Sequence, residues 1–136
     1  MTEAAIDESR RLLRIARADF AACRALIQAP GVRFANAAFH GQQSLEKALN
    51  AVLAARGLDF GRTHNLLALA GQLTQAGEAV PDTGDALSQI SPYAVNLRYD
   101  DADDELLSPA VLCDVVATLI DWAANRVDVI DQGEGT

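Results

Sequence analysis

The stretch IDESRRLLRIARADFAACRALIQ, residues 6–28, decides the fold. Ile6, Leu13, Phe20 and Ile27 recur every seven residues, with Leu12, Ala16 and Cys23 alongside. At about 100° per residue these side chains gather on one stripe, the mark of an amphipathic helix. Pro30 and Gly31 end it. Working outward, residues 32–56 carry Phe34, Ala38, Leu45, Leu49 and Val52 on one face, and Gly57 follows as the C-cap. Thr63 is placed to cap a short third helix holding Leu66, Leu67, Leu69, Ala70 and Leu73. Ala86, Leu87 and Ile90 make one apolar turn. Ser91 and Pro92 then read as an N-cap and a first-turn proline, opening a short helix that reaches Arg98. Asp100, Asp101, Asp103, Asp104 and Glu105 form an acidic loop. Ser108 and Pro109 repeat the cap signal for a last helix over residues 109–131, striped by Leu112, Val116, Leu119, Ala123, Val127 and Ile130. No strand-like alternation is sustained. The expectation is an all-α, up-and-down bundle of four to five helices, one domain over residues 1–131, with residues 132–136 as a frayed tail.

Composition narrows the function. The chain has 136 residues, with 11 Lys plus Arg against 19 Asp plus Glu, a net charge of −8. Half of it is apolar, enough for a core. The acidic balance argues against coating nucleic acid or an anionic membrane by bulk charge. No apolar run is long enough to span a bilayer. The acidic start of the chain is not expected to be a secretory signal. Cys23 and Cys113 match no metal or redox spacing and are expected as buried free thiols in a cytoplasmic protein. Two histidines, His40 and His64, form no metal motif, and no phosphate loop, dinucleotide fingerprint or serine-nucleophile motif occurs. Neither a metal nor a cofactor is expected.

Helical projection places Arg33, Asn36, His40, Gln43, Ser44 and Lys47 within a sector about 100° wide, opposite the apolar face of the second helix. Lys47 is the only lysine of the chain. The stripe reads either as a solvated face or as a groove for a ligand or partner, since amides, an imidazole and cations bind phosphate and base edges. Glu46 falls at the edge of the apolar sector, where burial demands a cation, and Arg98 is one candidate. On the first helix, Arg10, Arg14, Arg17 and Arg24 share a face. They read as a solvated edge with partners such as Asp7, or as a local anion patch. His64, beside Thr63, reads as a structural residue at the start of the third helix or as a ligand.

The run Phe39-His40-Gly41-Gln42-Gln43-Ser44-Leu45-Glu46-Lys47-Ala48-Leu49, followed by Gly57, by Thr63-His64-Asn65-Leu66 and by Leu97-Arg98-Tyr99-Asp100, resembles the HEPN domain family. The resemblance spans about residues 8–131, with Asn50 standing where a second lysine often follows. It implies a helical bundle that forms a homodimer, in some members paired with a minimal nucleotidyltransferase in a toxin–antitoxin-like or defence system. Some members bind nucleotides. Others are metal-independent ribonucleases carrying an Arg-x(4–6)-His motif near the C-terminal helices, where this chain has no histidine after Arg98. The expectation is a non-catalytic homodimeric module that binds a nucleotide, a nucleotidyltransferase partner, or both, through His40, Gln43, Lys47, Arg33, Arg98 and Tyr99. Glu46, Thr63 and His64 would support that surface, and no residue is assigned as catalytic. The alternatives are a ribonuclease using His40 or His64, and a purely structural dimer.

Overall fold

The computed structural model of the chain describes residues 2–94 and 107–133. Thr2 opens α1 (Glu3–Gln28), its hydroxyl accepting from the Ala5 N–H at 3.0 Å, so the helix begins ahead of its apolar stripe. Residues 29–33 turn the chain at Gly31 (φ 77°) into α2 (Phe34–Ala55). Two long helices joined so closely form an antiparallel hairpin. α2 ends in the Gly57 turn (φ 73°): the Gly57 N–H donates to Ala54 and the Leu58 N–H to Leu53, each at 2.9 Å. That pair of bonds is the Schellman closure for which glycine is favoured. After the connector come α3 (Leu66–Gln75), α4 (Ala86–Ile90), a 3₁₀ turn (Ser91–Ala94) and α5 (Pro109–Asp131). The Ser108 hydroxyl caps α5 by accepting from the Val111 N–H at 3.1 Å, with Pro109 in the first turn.

α2 is the axis of the bundle, and every other element touches it. Its Leu45, Leu49 and Val52 meet Leu12, Leu13 and Ala16 of α1, Leu69 and Leu73 of α3, and Leu112, Val116 and Leu119 of α5 in one core. Gly41 lets the helices close in. A Cβ there would come within 2.8 Å of Leu112 Cδ1 and 3.5 Å of Cys23 Sγ. Cys23 and Cys113 are free thiols, Cys23 buried as expected and Cys113 only half-buried. Burial pushes the Cys23 thiol up to about 12, and burial raises Cys113 as well, so both are protonated at neutral pH.

Several local readings are corrected. Asn65, not Thr63, caps α3: its Oδ1 accepts from the N–H groups of Leu67 at 2.9 Å and Ala68 at 3.2 Å. The Thr63 hydroxyl instead accepts from the Asn65 N–H, holding the turn that precedes the cap. Ser91 is not an N-cap but the first residue of the 3₁₀ turn, which follows α4 without a break. The apolar turn before it is already helical, so Ser91 lies in helical backbone, and its hydroxyl accepts from the Leu66 N–H at 3.0 Å to tie α4 to the start of α3. The helix expected to reach Arg98 is described only as far as Ala94, and the acidic loop lies outside the described residues. Arg10 pairs across to α5, with Asp128 at 2.7 Å and Asp131 at 3.0 Å, rather than with Asp7.

One buried ion network has no counterpart in the sequence reading. Glu78, in the turn after α3, receives Arg56 Nη1 and Arg126 Nε at 2.6 Å each, and so links the end of α2 to α5. Arg56 also donates to the Ala76 carbonyl.

Candidate functional site

Gln42, Glu46 and Asn50 stand four residues apart and so share one edge of α2. That edge faces the connector between α2 and α3, not solvent. Glu46 is 4% exposed. Its carboxylate accepts from Gln42 Nε2 at 3.2 Å and from His64 Nδ1 at 3.0 and 3.2 Å, with Lys47 Nζ at 3.6 Å. Gln42 Nε2 donates also to the His64 carbonyl at 3.0 Å. Both the ring and the backbone of His64 are therefore held, which pins the connector to α2. A carboxylate this deep is tolerable because Gln42 and His64 hydrogen-bond to it and Lys47 lies close by. The contact is made through Nδ1, and among the described residues Nε2 has no hydrogen-bond partner.

Pinning the connector encloses a cleft of about 440 Å³ between α1, α2 and residues 60–64. Its apolar lining is Leu12 and Ile15 of α1 and the ring of Phe60. Its charged side chains are Arg11, Lys47 and Arg62 against Glu8 and Glu46. Arg11 is fixed by Glu8, Nε to Oε1 at 2.8 Å and Nη2 to Oε2 at 2.9 Å, and Glu8 is held below the usual carboxylate range by that hydrogen-bonded guanidinium. Asn50 also lines the cleft. It is 5% exposed, and its Oδ1 is sealed from solvent without a hydrogen-bond partner among the described residues. Such a group costs free energy in a folded chain. A neighbouring hollow of about 350 Å³, on the α3–α4 side of His64, is lined by Asn65, Leu67, Ser88 and Pro92 and, among the described residues, by no lysine or arginine.

The projected stripe of α2 does not stay together. Lys47 lines the cleft, but His40 and Gln43 do not. His40 Nδ1 lies 3.3 Å from Asp19 Oδ1, and Gln43 Nε2 donates to Gln42 Oε1 at 2.7 Å. Arg33 is the exposed N-cap of α2, with extended backbone, so helical projection does not apply to it. Ser44 leaves the stripe altogether: it is buried, and its hydroxyl donates to the Ala16 carbonyl at 2.7 Å as part of the α1–α2 contact. Arg98 and Tyr99 lie outside the described residues, and the suggested Glu46–Arg98 pair lies there with them. Among the described residues the close partner of Glu46 is His64. Arg11, Asn50, Phe60 and Arg62 were missed, since they reach the cleft from three separate segments. No three His, Cys, Asp or Glu side chains among the described residues are grouped to hold a metal ion. No described helix is long and apolar enough to cross a membrane.

Fold and cleft together define an all-helical bundle domain with a mixed-charge cleft beside its central helix. The family model for the HEPN domain matches residues 9–126, most of the chain, and the chain belongs to the HEPN domain family. No curated protein and no solved structure matches it.

Proposed function

We propose that this HEPN module is a non-catalytic homodimeric binding protein that holds the phosphate of a nucleotide at the mouth of the α1–α2 cleft. The observation that carries this reading is the set of three cations, Arg11, Lys47 and Arg62, around a cleft of ligand size. Arg11 presents a fixed guanidinium and Lys47 a compact charge, the two complementary ways of gripping a phosphate. The exposed start of α2 at Arg33 and Asn36, with half-buried His40 and Gln43, is offered to a nucleotidyltransferase partner. Arg98 and Tyr99 belong to this proposal only as the family resemblance places them.

A second reading, metal-independent RNA cleavage, draws on a specific observation. The Glu46 carboxylate orients the His64 ring, the arrangement that an acid–base histidine uses. The two readings part in one experiment. Adding AMP in large excess should raise the melting temperature of the chain by several degrees, since a ligand at about 100 times Kd stabilises by about 2.7 kcal/mol. Lys47→Ala should need about ten times more nucleotide for the same shift, equivalent to about 1.4 kcal/mol. Incubation with total RNA, with and without chelator, should give no cleavage above background. Chelator-resistant cleavage that disappears in His64→Ala would replace binding with catalysis.

A further inference from the structure

On the reading that the cleft holds a nucleotide phosphate, the ring of His64 decides how that phosphate is paired. The Glu46 carboxylate can only accept, so the His64 Nδ1 that lies 3.0 Å from it carries a proton. In the neutral ring Nε2 is then a bare acceptor, which repels the oxygens of a phosphate. A proton from solvent turns Nε2 into a donor, and the ring is open to solvent. The charge around the ring favours that proton once a phosphate arrives. Glu8 and Arg11 face the cleft from α1, Glu46 and Lys47 from α2, and Arg62 from the connector. The hollow on the α3–α4 side of His64 adds no other ionisable group among the described residues. Three cations thus face two carboxylates, an excess of one positive charge. A phosphate monoester brings about −1.5 to −2, more than that excess can balance.

We infer that the phosphate draws a proton onto His64 and that the imidazolium then grips it through Nε2–H, beside Lys47 and Arg62. His64 is thereby a specificity-determining residue, favouring a nucleotide over the nucleoside that lacks the phosphate. The ring holds its proton more tightly in the complex than in the free chain. The gain in affinity is therefore full where the free ring is already charged, and it is lost as pH rises through the bound value.

Calorimetric titration of the full chain with AMP, in buffers of different ionisation enthalpy, counts the protons taken up. Above about pH 7 the phosphate of AMP is already mostly a dianion, so that uptake belongs to the protein. The expected result is about half a proton per AMP near neutral pH, as for a ring whose proton is held about ten-fold more tightly in the complex, and none with adenosine. In His64→Asn, whose amide can still donate to Glu46 and pin the connector, the uptake should vanish and AMP should bind several-fold more weakly. A thermal melt shows that the variant folds. In the unaltered chain, NMR of the two histidine rings should show His64, and not His40, titrating about one pH unit higher with AMP bound. No uptake, equal uptake with adenosine, uptake that persists in His64→Asn, or a His64 ring that AMP leaves unmoved overturns the inference and leaves the phosphate reading standing. Failure of AMP to bind overturns both.

Discussion

Glu78 shows how much a single side chain carries in this fold. Burial pushes its carboxyl upward, but the hydrogen bonds and charges of Arg126 and Arg56 outweigh burial and hold it below the ordinary value of 4.5. A carboxyl depressed on folding contributes stability that is fully present above its unfolded value and is lost as pH falls through the folded one. Glu78→Ala leaves two half-buried guanidinium groups without their anion and should cost about 3 kcal/mol at neutral pH. Urea melts of both chains from pH 7 down to pH 3 check this. The gap between them should be widest near neutrality and should narrow below about pH 4.5. A constant gap would mean that the loss is one of packing alone. Glu46 differs in kind: its partners, Gln42 and His64, hold a connector in place and so shape the cleft, whereas Glu78 ties helix ends together.

Between elements, the decisive contact is the close approach of α2 to α5 and α1 at Gly41. A methyl group there meets Leu112 Cδ1 at 2.8 Å in a filled core, so the neighbours must shift. Gly41→Ala should destabilise the chain by about 1–2 kcal/mol, even though alanine is the better helix former. Thermal unfolding measures it, and a stabilised variant would show that the helices have room to spare. The helices themselves were legible because their signals are local. The stripe of Ile6, Leu13 and Phe20, the Gly57 turn and the Ser108-Pro109 cap each act within a few residues. Thr63 and Ser91 misled because a hydroxyl before an apolar run resembles a cap: a local turn takes the Thr63 hydroxyl, and a tertiary hydrogen bond takes that of Ser91. In the polar stripe, packing removes Ser44. Projection gives angle but not depth, so it grouped Ser44 with Lys47, although Ser44 bonds to the backbone of α1 and Lys47 reaches toward Glu46.

For the whole molecule, the site depends on three segments that no spacing rule joins: Arg11 on α1, Lys47 and Asn50 on α2, and Phe60 with Arg62 in the connector. Of the ordered motif His40-x-x-Gln43-x-x-Glu46-Lys47, with Thr63-His64, the residues Glu46, Lys47, Thr63 and His64 line the cleft. The motif could not supply the α1 wall. As a HEPN module, the chain is expected to pair with a second copy about a two-fold axis. Light scattering over a range of concentrations should give twice the 14.4 kDa chain mass, and a monomer persisting at high micromolar concentration would contradict that assembly. The central claim, a nucleotide phosphate held between α1, α2 and the connector, is tested most directly by titrating AMP into isotope-labelled protein and following its backbone amide signals by NMR. The predicted result is saturable shifts concentrated at Arg11, Lys47, Asn50, Arg62 and His64. No shifts at millimolar AMP, or shifts gathered instead around His40 and Gln43, would contradict it.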